Sequence, residues 1–169
     1  TYFSFMTRAG ITIISLLLLS ATTLLPSFKP QQEAPREIVI KAISGLQYDS
    51  VRFKIAPGET VKITLVNTDE MAHNMVITEP GERVSIVDMA LKMGTAGQQK
   101  NYIPDSDKIL AAIPILNPEE EYSITFTAPE QEGVYPYVCT YPGHGTVMYG
   151  AMYVTNNLLP TLANDTNIP

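Results

Sequence analysis

At 169 residues the chain has the length of one domain, and with 45% apolar and 17% charged residues it can bury a core. A net charge of -6 excludes the basic face that a nucleic-acid binder needs. One Cys and two His exclude an internal disulfide framework, a Cys-rich cluster and a metalloenzyme with several His-rich centres.

In chain order, Arg8 comes first, followed by an uncharged stretch from Ala9 to Phe28 whose middle, Ile11–Leu25, is strongly apolar. A positive flank before a short apolar run is the pattern of a secretory signal. The dense part falls short of the roughly 20 residues that span hydrocarbon, while the whole uncharged stretch reaches that length. Residues 1–28 are therefore read as a signal peptide or an N-terminal membrane anchor through residues 9–28, with Met6 as the start. Either way the remainder is exported. A lone Cys in an exported chain is a free thiol, an intermolecular bridge or a metal ligand.

Residues 29–36 lie in a polar, Pro-containing stretch and read as a linker. Short β-like runs follow at Glu37–Ile43, Val51–Ile55, Thr60–Val66 and His73–Thr78, with Pro57-Gly58 and Pro80-Gly81 as turns. Ser85–Met93 breaks the pattern, placing Ile86, Met89, Ala90 and Met93 at helical spacing. Ser85 with Asp88 predicts a capping box and Gly94 a stop. A polar loop is expected from Gly94 to Asp107, and strands resume at Ile109–Ile113, Glu121–Thr127, Val134–Val138 and Tyr149–Thr155. Pro136 predicts an edge strand or a bulge. Residues 156–169 read as a flexible C-terminal tail, in which the glycosylation-like triplet Asn164-Asp165-Thr166 is taken as chance. About eight short strands and one helix over residues 37–155 predict an all-β, eight-stranded Greek-key β-sandwich with one short helical flap insertion.

The chemistry gathers in one segment, Cys139-Thr-Tyr-Pro-Gly-His144-Gly-Thr-Val-Met148, spaced C-x4-H-x3-M. The other His, His73, opens a predicted strand far upstream. One thiolate, two imidazoles and one thioether are the ligand set of a blue-copper site, in which a trigonal His2Cys plane carries a weak axial Met. Thiolate stabilises Cu(I), imidazole suits both oxidation states, and a geometry between their preferences lets one electron move with little rearrangement. Pro142 and Gly143 supply the turn that lets Cys139 and His144 face one ion. Singly, a buried Cys, a strand His and a core Met are ordinary packing residues. Together, the chain's only Cys and only two His fall into one geometry.

The segment Cys139–Gly150 resembles the ligand loop of azurin and its relatives among the small blue-copper proteins, the cupredoxins. His73-Asn74 resembles the other ligand motif of that family, and Lys100–Leu110 the region after its helical flap. The resemblance implies copper, one ion, held by His73, Cys139 and His144 in the plane and Met148 on the axis. In that family the residue before the first His offers a distant axial carbonyl, and that position here is Ala72, a departure from the Gly that azurins usually carry. It further implies that Asn74 ties the two ligand segments together and hydrogen-bonds toward the thiolate. The disulfide typical of azurins near their start has no counterpart here. Met71, Met75, Pro142 and Gly143 are expected to form the apolar rim where redox partners dock.

The function implied is one-electron transfer in the periplasm or on the outer face of the cytoplasmic membrane of a bacterium. The expected partners are redox proteins such as a c-type cytochrome or an oxidase, and the protein itself is expected to be a monomer and no enzyme. The alternatives are a copper carrier or storage module, a copper domain of a larger redox enzyme complex, and a His-activated Cys nucleophile. A second copper centre would need further His ligands, and a nucleophile would leave the Met unexplained.

Overall fold

The computed structural model describes residues 1–2 and 34–169. The expected signal or anchor, and all of the linker but its last residues, lie outside the described residues. The chain separates into two units, Thr1–Glu33 and Ala34–Pro169, of which the second carries everything below.

Among the described residues, nine strands form two sheets. They are β1 (Arg36–Ile43), β2 (Gln47–Tyr48), β3 (Arg52–Ile55), β4 (Thr60–Asn67), β5 (His73–Thr78), β6 (Ile109–Leu116), β7 (Glu121–Thr127), β8 (Gly133–Val138) and β9 (Tyr149–Val154). One sheet runs β2-β1-β4-β7 and the other β3-β9-β8-β5-β6. The expected sandwich is the architecture observed, and its ninth strand is the two-residue β2. In β4, Val61, Ile63 and Leu65 point inward while Thr60 and Lys62 meet water, the signature of one dry face. Those three residues join Ile40, Ile77, Ile113, Phe126, Tyr137 and Met152 in the core between the sheets.

β5 departs from alternation, because all six of its residues are buried. Met75 and Ile77 face the core between the sheets, and Val76 packs with Val138, Ile86 and Val87 in a second cluster. The cover comes from helix α1 (Arg83–Lys92), which lies on the outer face of β5 and β8. α1 begins two residues before Ser85 and has no side-chain cap, so the predicted capping box does not form. Gly94 (φ +53°) ends it, and a 3-10 helix, Gly94–Lys100, stands where a loop was expected.

Two further expectations are corrected. Pro136 sits in β8, an interior strand paired on both sides. The ladder to β5 contains only Val76↔Val138 and Ile77↔Tyr137, and so ends before it asks Pro136 for an N–H. The C-terminal tail is docked rather than loose. Asp165 is buried, takes hydrogen bonds from the Arg52 guanidinium at 2.8 Å and from the Tyr153 hydroxyl, and follows a short 3-10 turn, Leu162–Asn164.

No helix among the described residues is long and apolar enough to cross a membrane.

Candidate metal centre

Strand register brings the predicted ligands to one end of the larger sheet. β5 and β8 are antiparallel neighbours, so His73, which opens β5, lies beside Cys139, which follows β8. β8 and β9 are neighbours in turn, and the Cys139 N–H donates to the Met148 carbonyl at 3.0 Å. That bond clips the two ends of the ligand loop together. Inside it, the His144 N–H donates to the Tyr141 carbonyl at 3.0 Å, with Gly143 at φ +87°. Pro at the second position and a left-handed Gly at the third make a type II turn, as these residues predicted.

Three donor atoms converge. The Cys139 Sγ lies 3.9 Å from the His73 Nδ1 and 3.6 Å from the His144 Nδ1, and all three atoms lie within 4.8 Å of one another. A d-block ion with an S bond of about 2.3 Å and N bonds of about 2.0–2.1 Å, at angles between tetrahedral and trigonal, requires S···N separations of roughly 3.5 to 3.8 Å. The donor set therefore fits a metal ion. Met148 is fully buried, in the same cluster as Cys139.

The surrounding groups fix these donors. The Asn74 side chain accepts from the Thr140 N–H at 2.8 Å and donates to the Thr140 hydroxyl, also at 2.8 Å, joining the β5 end to the Cys loop. The main-chain N–H groups of Asn74 and Tyr141 point to the Cys139 sulfur. Burial pushes the Cys139 thiol up to about 11, and these two N–H groups oppose that rise only in part. The metal-free site thus holds a thiol, and a metal ion must displace its proton. Helix α1 backs the loop: Arg83 donates to the Gly145 carbonyl at 3.0 Å and lies 3.9 Å over the Tyr149 ring.

Several of these groups escape the sequence reading. Asp69, in the turn between β4 and β5, is buried with its Oδ2 2.9 Å from the His73 Nε2. Its hydrogen bond with His73 holds its carboxyl below the usual range, against burial. An acid four residues before a ligand His was the available sequence signal. Tyr48, fully buried, donates to the Asn74 carbonyl at 2.7 Å.

Ala72 precedes His73, half-buried. The expected rim is partly corrected. Met71 is 44% exposed, and Pro142 and Gly143 are exposed, but Met75 is 1% exposed and belongs to the core, because its position in β5 points between the sheets. Val147, 50% exposed and bonded through its N–H to the His144 carbonyl, is a rim residue that the sequence reading missed. His73 is sealed off, whereas His144 keeps 6% of its surface.

Burial, together with the nearby His73, lowers the affinity of His144 for a proton. In the metal-free protein the unfolded chain then binds more protons than the folded one as pH falls through the ordinary His value of about 6.5. Stability is expected to be complete above that pH and to decline below it, which denaturant midpoints at pH 5 and 7.5 would measure. His144→Gln should flatten the decline.

Residues 36–155 match the model of the copper binding proteins of the plastocyanin/azurin family. Auracyanin-A of Chloroflexus aurantiacus is 35% identical over 111 residues, covering 64% of this chain and 67% of that protein. Its solved structure, described as a "blue" copper protein, superposes with a TM-score of 0.65 at 34% identity, over 72% of this chain and all of that one. Azurin iso-2 of Methylomonas sp. is 32% identical over 85 residues, which span 48% of this chain and 64% of that protein.

Proposed function

The chain belongs to the plastocyanin/azurin family of copper-binding proteins, and from that premise we propose that it is a one-electron carrier. It holds one copper ion through His73, Cys139, His144 and Met148. The observation that carries this reading is the convergence of the Cys139 Sγ with two Nδ1 atoms at 3.6 and 3.9 Å, at the end of a rigid sandwich.

Bound copper supplies the Cu(II)/Cu(I) couple; the protein supplies everything else. Cys139 gives a soft anionic donor, and the N–H groups of Asn74 and Tyr141 steady its charge. Register, the Cys139–Met148 clip and the Asn74–Thr140 bonds hold the donors in place, so little moves when charge changes. His144, the less buried imidazole, lies next to the rim formed by Pro142, Gly143 and Val147, with Met71 nearby in sequence to His73. Electrons pass across this rim to redox proteins such as a c-type cytochrome or an oxidase. A small apolar rim suits brief encounters, and the net charge of -6 favours a basic partner. Both His of the chain are committed to one centre, which leaves no imidazole for a second, catalytic copper. The reading places the protein outside the cytoplasm of a bacterium, as a monomer.

The test is a visible spectrum of the full chain with one equivalent of Cu(II). An intense band that bleaches with ascorbate and returns on reoxidation is expected. A colourless protein at full copper occupancy would overturn the reading.

A further inference from the structure

The His73 ligand does not rest on a neutral carbonyl or on water. Its Nε2 meets a carboxylate, the Asp69 Oδ2, at 2.9 Å, and both side chains are buried. The turn that presents Asp69 is built for the purpose. Asn67, fully buried at the end of β4, donates to the Met71 carbonyl at 2.7 Å and to the Leu116 carbonyl at 2.9 Å. Its Oδ1 accepts the Asp69 N–H at 3.0 Å. The other carboxylate oxygen, Oδ1, accepts the Glu70 N–H at 2.8 Å and the Ser44 hydroxyl at 3.2 Å. Backbone and side chain are therefore both pinned with Oδ2 left for the imidazole. Among the described residues, His73 is the only basic group paired with Asp69, so no Lys or Arg neutralises the carboxylate.

We propose that Asp69 is a positioning residue that fixes the His73 tautomer and, as a buried negative charge behind that ligand, also biases the site toward the oxidised ion. The inference rests on the copper reading above. With Nε2–H donated to Asp69, the His73 Nδ1 keeps its lone pair toward the Cys139 Sγ, the arrangement a metal needs. The charge acts on the couple because Cu(II) carries one unit more than Cu(I). Counting thiolate and carboxylate, the oxidised site is neutral and the reduced site carries one negative charge. In a buried setting the neutral state is favoured, which lowers the reduction potential.

Asp69→Asn keeps the shape and an acceptor oxygen and removes only the charge. It should leave the intense visible band in place and weaken Cu(II) binding about tenfold more than Cu(I) binding, the lower end of the usual range for such outer partners. A tenfold change in the ratio corresponds to a rise of about 59 mV for one electron, read by voltammetry on the full chain. Asp69→Ala removes the acceptor as well. In its metal-free form, nitrogen NMR should show the His73 proton shared between Nδ1 and Nε2, where the unaltered protein shows it on Nε2 alone.

A potential that is unchanged or lowered in Asp69→Asn, with the band intact, would overturn the proposal and leave the copper reading standing. So would a wild-type His73 protonated on Nδ1 in the metal-free protein. Failure of the copper reading is separately visible, as a wild-type protein that never develops the band.

Discussion

Cys139→Ser should give a folded protein that binds Cu(II) without any intense visible colour. The expected loss is complete, because the band requires a sulfur-to-copper bond and the chain has no second Cys. Serine is nearly isosteric, and its hydroxyl meets groups already aimed at the sulfur, namely the N–H groups of Asn74 and Tyr141 and the Nδ1 of His73 and His144. The cost in folding stability should therefore stay near 1 kcal/mol, the scale of about one exchanged buried hydrogen bond. The chemical cost is larger. A buried thiol near 11 can still surrender its proton to a metal ion at neutral pH, and the resulting thiolate is soft enough to hold Cu(I). A serine hydroxyl resists deprotonation far more strongly and yields a hard oxygen. Spectra and denaturant midpoints of the two proteins, recorded side by side, separate the effects. Colour that persists in Cys139→Ser would remove Cys139 from the centre, and a collapse of the midpoint would make it a core residue first.

What sequence alone discloses depends on whether the deciding contacts are local. The strands β4 and β7 are legible to within a residue, since apolar and polar residues alternate along each, with Val61, Ile63 and Leu65 of β4 and Phe126 of β7 buried. β5 is legible as a strand but not as one buried on both faces, because its cover, α1, comes from later residues. Met75 reads as a rim residue because it stands two residues from His73 in sequence, whereas its side chain faces the core between the sheets. Ser85 and Asp88 suggest a start for α1, yet the structure begins it at Arg83, whose guanidinium is fastened to the Gly145 carbonyl. Pro136 invites a rule about edges, whereas what matters is whether a neighbour asks for its missing N–H. The polar tail reads as loose because nothing near Asp165 announces that Arg52 and Tyr153, more than a hundred and about a dozen residues away, wait for it. The ligands are legible because Cys and His are so scarce here. Asp69 is not, because it is one of 17 acidic residues and only the folded turn after Asn67 sets it against His73.

Gly150→Ala should be the most damaging single-methyl change in the sandwich, costing about 3 kcal/mol of stability, the upper part of the usual range for overpacking. Gly150 is paired with Tyr137 across the β8–β9 ladder, and the Tyr137 ring lies over it. A Cβ at Gly150 would meet the Tyr137 Cε2 at 2.6 Å and come closer still to Cζ and the hydroxyl. The ring cannot swing aside. It is fully buried, packed between the tilted rings of Tyr48 at 5.3 Å and Phe53 at 5.5 Å, and its hydroxyl donates to the Ser50 carbonyl. Any displacement passes to Tyr48, whose hydroxyl holds the carbonyl of Asn74, the residue that ties His73 to the Cys loop. The strain therefore reaches the metal centre without a change in any ligand. Thermal unfolding should fall by roughly 10 °C for a domain of this size, and the visible band of the copper form should shift or weaken. Tyr137→Leu is itself destabilising, since it empties part of a dense core. Combined with Gly150→Ala, however, it should cost less than the sum of the two, because the clash needs both partners. Strict additivity in that double-mutant cycle would mean that the methyl group is accommodated by a shift of β9 rather than resisted by the Tyr137 ring.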